Sequence, residues 1–341
     1  MGQPQTLEGS PMKFSTTMKS VGLAAAAALM LAGCSTPGTA ATTGSAAPVT
    51  GKLKIGFSQA TQQSPFYVSL SDAAKAEATA KGDELLHVDA NGDVTKQNND
   101  VQDLITRGIN VLIINPVDPK GIAPALAAAK AAGIKVITVD RPIDSGSESF
   151  VGRDNKAMGK LVGEQMVKTL GAGGGKVVEI QGDAGGAVAK DRHDGFHEAA
   201  AAAPSIKIVE GPYANYIRSQ AVTAMQDLLQ ANPDVKAVYA HNDDMALGAL
   251  QVLKENNRMD VKVFGVDGLM EAVKDIADGS QFVATASNDP GTEGQQAVDT
   301  AIKVAGGESV EKFVDAGTGL VDKTNAKSLV GDTIFAKAAA K

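Results

Sequence analysis

Tryptophan is absent from this 341-residue chain, aromatic residues make up only 4% of it, and there is one cysteine and four histidines. A single thiol, Cys34, excludes any disulfide within the chain. Acidic residues outnumber basic ones, giving a formal charge of −7, which argues against nucleic acid as a partner. A phosphate loop is missing too. Gly171–Lys176 reads GAGGGK, but Leu170 stands where GxxxxGK[ST] needs its first Gly, and Val177 stands where the Ser or Thr belongs. The segment also precedes a strand rather than following one, so it reads as a turn. Gln181–Gly186 (QGDAGG) does follow a strand and open a helix. It is not GxGxxG, and it reads as a loop where another group approaches the backbone. His193 and His197, in HDGFH, have the i, i+4 spacing of two zinc ligands on one helix. The Glu of HExxH is missing and no third ligand suggests itself, so no metal is expected. His87 and His241 are isolated and suit surface or packing roles. Without a nucleophile elbow, or any cysteine in the folded body, the chain offers an enzyme little to work with. No catalytic residue and no cofactor are expected.

What is present begins with an export signal. Lys13 and Lys19 form a basic region ahead of Val21–Leu31 (VGLAAAAALML), an apolar run too short to span a bilayer that ends in small residues. Leu31-Ala32-Gly33-Cys34 resembles the bacterial lipobox, in which cleavage precedes a cysteine that is then acylated. Residues 1–33 are therefore expected to be a lipoprotein signal peptide and Cys34 the lipidation site. Residues 34–50, low in charge and bulk, read as a flexible tether with a reach of roughly 20–25 Å. The expected product is exported to the periplasm or cell envelope and held at a membrane through Cys34.

The chain as a whole is 43% apolar, and its length suggests two cores in the body from Lys52 onward. Apolar runs at Leu53–Ser58, Glu84–Asp89, Val111–Asn115, Lys135–Asp140, Lys176–Ile180, Ile206–Glu210, Val235–Ala240, Val261–Val266 and Phe282–Ser287 predict strands. Helical periods lie between them: Val68, Leu70, Ala74 and Ala78 share one face, as do Ala221, Met225, Leu228 and Leu229. This alternation predicts parallel sheets covered on both faces, in two doubly wound α/β lobes. Ligands in such sheets bind beyond the carboxyl ends of the strands. Three predicted strands end there on polar groups: VITVDRP on Asp140 and Arg141, AVYAHNDD on Asn242, and VFGVD on Asp267. Helix capping is the bland alternative for any one of them.

Taken in order, SPFYVSL (Ser64–Leu70), VQDLITRG, INPVD, VITVDRP, EIQGDAG, AHNDDMALGAL and VFGVDG resemble the periplasmic sugar-binding proteins of ABC importers, in their ribose-binding branch. The resemblance implies a type I periplasmic binding fold, with lobes of residues 51–153 plus 290–318 and of residues 154–289 plus 319–341. Three crossings are then expected, near Arg153, Asn288–Pro290 and Thr318–Leu320. It also implies ligand-binding roles for Phe66, Tyr67, Asp140, Arg141, Arg192, Tyr216, Asn242, Asp267 and Asn288. Ser64 stands where ribose binders commonly carry Asn, and Asn288 where they carry Gln. GFSQ and YAHNDDM resemble the galactofuranose-type binders instead. The implied function is non-enzymatic capture of a monosaccharide, ribose or a close aldose, for delivery to the transmembrane subunits of an ABC permease. The alternative is another polyol or a sugar-derived signal, of galactofuranose, allose, inositol or autoinducer-2 type, feeding transport or chemotaxis. A chemoreceptor is a further implied partner, and a monomer is expected. The sugar-responsive repressors share the fold but need an N-terminal helix-turn-helix, where this chain has its signal and tether.

Overall fold

The computed structural model describes residues 51–337. The signal peptide, Cys34 and the tether lie outside the described residues. The first sheet is built from β1 (Lys54–Gln59), β2 (Glu84–Asp89), β3 (Val111–Ile114), β4 (Lys135–Val139), β5 (Ser149–Gly152) and β11 (Phe313–Asp315), in the order β11-β5-β4-β3-β1-β2, parallel throughout. The second contains β6 (Gly175–Gln181), β7 (Ile206–Tyr213), β8 (Val235–Ala240), β9 (Lys262–Asp267), β10 (Phe282–Ser287) and β12 (Leu320–Asp322), in the order β12-β10-β9-β8-β6-β7. Only β12 runs antiparallel to its neighbour. Central strands are buried along nearly their whole length, as in the VLII of β3. Covered on both faces, they need an unbroken apolar run rather than an alternating one.

Polar residues at strand ends start the covering helices. Ser64 accepts from the Phe66 amide ahead of α1 (Pro65–Ala80), and Asp93 accepts from Thr95 and Lys96 ahead of α2 (Val94–Thr106). Asp154 caps α4 (Asn155–Leu170), Asn242 caps α7 (Asp243–Glu255) and Asp289 caps α9 (Pro290–Ala305). These side-chain oxygens satisfy amides that no helical carbonyl can reach. Helices α3 (Ala123–Ala131), α5 (Ala187–Ala200), α6 (Arg218–Ala231), α8 (Met270–Ala277) and α10 (Ala326–Leu329) complete the cover. GAGGGK is a tight turn, with Gly171, Gly174 and Gly175 all at positive φ. On α1 the buried face carries Phe66, Tyr67, Leu70, Ser71, Ala74 and Ala78. Val68, expected on that face, is exposed, because the N-terminal turn points its two aromatics inward.

The chain leaves the first sheet after β5, returns to it after β10 and leaves again between β11 and β12. One side chain ties these three passages together. The buried Arg153 guanidinium donates to the carbonyls of Gly317, Asp289 and Ala316, to Asn288 Oδ1 at 2.8 Å and to Glu293 Oε2 at 2.6 Å. Burial pushes Glu293 up to about 8 despite the opposing pull of Arg153. No helix among the described residues is long and apolar enough to cross a membrane.

Candidate functional site

The carboxyl ends of both sheets meet around a narrow space of ≈ 240 Å³ lined by Ser64, Phe66, Tyr67, Asp140, Val188, Arg192, Tyr216, Asn242, Asp267 and Asn288. Eight of the nine ligand-contact positions expected from the sequence are thus brought together. Arg141 stands outside this inner space. It lines a wider opening of ≈ 900 Å³ together with Thr61, Asn91, Asp183 and Gln220, and Tyr67 and Tyr216 border both regions. A larger groove of ≈ 1310 Å³ beside α3 and β4 lies away from the strand ends. Its walls mix small and aliphatic residues with Ser145, Ser147 and Lys130, and its Lys135 and Glu148 already pair with each other at 2.7 Å.

The backbone is strained where it delivers these groups. Asp140 (φ 62°), Tyr216 (φ 62°) and Asp267 (φ 127°) occupy a region that side-chain-bearing residues rarely adopt. Such outliers persist only where surrounding structure holds them, and they cluster at functional sites. Asp140 is held by its amide, which donates to the Val151 carbonyl at 3.0 Å, and by Asn115 Nδ2, which donates to its Oδ2 at 3.1 Å. Tyr216 fits because residue 182 is Gly: a Cβ there would collide with the tyrosine ring. The expectation that QGDAGG admits another group to its backbone is met by this contact.

Each lobe supplies charge to the space. Arg192, on α5, donates to Asn155 Oδ1 at 2.9 Å and to the His241 carbonyl at 2.6 Å, and lies 3.5 Å from Asp267. Asp267 accepts from Asn288 Nδ2 at 3.0 Å, and Asn288 in turn accepts from Arg153. This chain links the site to the three passages between the sheets. Burial raises Asp140 and pushes Asp267 up to about 6, with Arg192 pulling both the other way. Arg141 donates to the Tyr67 hydroxyl at 2.6 Å and to the Pro116 carbonyl at 3.1 Å. It also meets Asp183, from the loop after β6, at 3.4 Å, an ion pair that crosses from one sheet to the other. Asn242 is both lining residue and helix cap: its Oδ1 accepts from the Met245 amide at 3.0 Å. Several polar atoms here are buried without a hydrogen-bond partner among the described residues, including the Tyr216 hydroxyl, Arg141 Nε, Asn115 Oδ1 and Asp183 Oδ1. Leaving such an atom unpaired costs about 1–3 kcal/mol, so the site is built to bond something polar.

Sequence reasoning missed Asn115 and Asp183 as site residues and placed Arg153 only as a crossing point, since their partners lie far away in the chain. It also missed Glu179, a fully buried residue of β6 that receives His193, His197 and His241. His241 is therefore not isolated. Its Nε2 lies 2.8 Å from Glu179 Oε1, while its Nδ1 accepts from the Gly182 amide. Burial favours a neutral Glu179, but the hydrogen bonds from His197 and His241 outweigh it and hold the carboxyl down to about 2. The carboxylate inside VVEI was the one available signal, a charge in the middle of a strand meant for a core.

Comparison with known proteins agrees with this architecture. A family model for the periplasmic binding protein domain matches residues 55–309. The ribose import binding protein RbsB of Bacillus subtilis (strain 168) is 36% identical over 266 residues, spanning 78% of this chain and 86% of that protein. Its counterpart in Escherichia coli (strain K12) is 40% identical over 261 residues, 76% and 87% of the two chains. Among solved structures, an ABC transporter solute binding protein from Mycobacterium smegmatis with bound glycerol is 76% identical, with a TM-score of 0.83 over 84% of this chain and 99% of that one. A galactofuranose binding protein is 32% identical, with a TM-score of 0.77 over 81% and 96% of the two chains. Two parallel-sheet lobes, a site at their facing strand ends and a family match across three-quarters of the sequence lead to one conclusion: this chain belongs to the periplasmic binding protein family.

Proposed function

We propose that this protein captures a monosaccharide, ribose or a close aldose, in the space between its lobes and delivers it to an ABC permease. As a member of its family it is an exported transport component of the periplasm rather than an enzyme, and its relatives make it the sugar-binding part of an importer. The observation that carries the choice of ligand is that Asp140 from one sheet and Asp267 from the other line a single space together with Arg192, which lies 3.5 Å from Asp267. Sugar hydroxyls each donate and accept, so carboxylates, amides and a guanidinium engage neighbouring pairs of them. The apolar C–H faces of a sugar ring suit Phe66, Tyr67 and Tyr216, whose rings complete the lining.

In this reading residues 51–153 plus 290–318 and residues 154–289 plus 319–341 are the moving lobes, hinged near Arg153, Asn288–Pro290 and Thr318–Leu320. A ligand that touches both lobes stabilises the closed form by its differential contacts. The Arg141–Asp183 pair at the mouth supports such closure. Acylation of Cys34 would hold the body at a membrane beside its permease, and a chemoreceptor is a further candidate reader of the closed form. A second reading, a binder of smaller polyols or sugar-derived signals, draws on Ser64 in the lining and on the glycerol of the Mycobacterium smegmatis relative.

A thermal-shift panel of pentoses, hexoses, furanose-forming sugars, inositol and glycerol tests both. A ligand at 100 times its Kd adds about 2.7 kcal/mol of stability. The proposal expects ribose or a close aldose to give the largest rise in Tm. A larger rise from a polyol would replace the first reading by the second, and no rise from any compound would end both.

A further inference from the structure

Where α5 packs over β6 and β8 ends, three of the four histidines in the chain converge on one carboxylate. Glu179 is fully buried in the strand. His193 and His197 lie one turn apart on α5, their ring centroids 3.9 Å from each other, and their side chains remain 25% and 29% exposed. His193 Nδ1 is 3.1 Å from both carboxylate oxygens of Glu179, and His197 Nε2 is 2.9 Å from Oε2. One ligand atom from each residue falls within 4.8 Å of the other two.

We propose that Glu179, His193 and His197 form a transition-metal site of the Zn²⁺ class. A tetrahedral Zn²⁺ with bonds of about 2.0–2.1 Å holds its ligand atoms about 3.3 Å apart. The separations from Glu179 to each imidazole need to open by only a few tenths of an ångström to accept the ion. Two imidazoles and one carboxylate match the borderline softness of Zn²⁺. Ca²⁺ and Mg²⁺ favour six or more oxygen ligands, which this cluster does not offer. The exposed edges of the two histidines give the ion its way in and leave the fourth position to water. His241 serves in the outer shell: its ring is fixed by the Gly182 amide on one nitrogen and orients Glu179 with the other. Hydrogen-bonded ligands of this kind are a regular part of metal sites. The site shares no residue with the sugar-lining set.

Calorimetric titration of the untagged full chain with Zn²⁺ alone tests the assignment, with Co²⁺ absorption as a report on geometry. One saturable site per chain and the visible bands of tetrahedral Co²⁺ are expected. His193→Ala/His197→Ala should weaken Zn²⁺ binding at least 100-fold while keeping the wild-type circular dichroism spectrum, and His87→Ala should leave binding unchanged. The absence of saturable Zn²⁺ binding, or equal affinity in the double variant, would overturn the assignment and leave the cluster a set of histidine–carboxylate hydrogen bonds.

Discussion

Replacing Asp267 by Asn removes a titrating group without changing its shape, and the structure puts a number on the effect. Burial pushes the Asp267 carboxyl up to about 6 from an ordinary 3.8, against the pull of Arg192 and the hydrogen bond from Asn288. The folded protein therefore holds this proton more tightly than the unfolded chain by about two pKa units, or roughly 3 kcal/mol. Because the folded-state value is the raised one, that stability is fully present below about pH 4 and is lost as pH rises through about 6. The amide that replaces the carboxyl cannot titrate. The wild type should thus lose about 2 kcal/mol more than Asp267→Asn between pH 4 and pH 7, whatever constant offset the substitution introduces. Urea denaturation of the ligand-free proteins at stepped pH measures this difference directly. A difference that stays flat with pH would refute the reasoning. The ionised carboxylate is also the form that accepts sugar hydroxyls, so wild-type affinity should fall as pH drops below about 6. The group that destabilises the empty protein is the one the ligand needs, a common arrangement at binding sites.

Other substitutions probe separate parts of the site and the hinge. Tyr216→Phe removes a buried hydroxyl that has no partner among the described residues. It should change ligand-free stability by less than about 1 kcal/mol yet weaken sugar binding measurably in calorimetry. Gly182→Ala should force the Tyr216 ring aside and reduce affinity with little change in the far-ultraviolet spectrum. Arg153→Met leaves the buried carbonyls of Asp289, Ala316 and Gly317 and the Asn288 Oδ1 without their donor, and at about 1–3 kcal/mol for each acceptor that finds no other partner it should cost several kcal/mol in denaturant unfolding.

Much of the fold was legible because buried parallel strands must be continuous apolar runs. VLII, KVITV and VKAVYA announce themselves for that reason. Strands β5, β11 and β12 are three or four residues long and borrow their stability from neighbours, so no local period marks them. At the site, the lone charges ending VITVD and VFGVD were readable because a core strand has no other use for them. Arg153 was placed as a crossing point but not as the tie between three passages, since its partners lie 135 to 164 residues away. The shared carboxylate partner of His193 and His197 escaped for the same reason. Glu179 meets them only because β6 runs beneath α5.

The central claim is that the space between Asp140 and Asp267 holds a sugar. Calorimetric titration of the wild type and of Asp140→Asn with D-ribose tests it most directly, since Asn keeps the left-handed backbone tolerable while removing the charge. The predicted result is one saturable site per chain in the wild type and its loss in a variant that still unfolds cooperatively. Undiminished ribose binding by Asp140→Asn would contradict it.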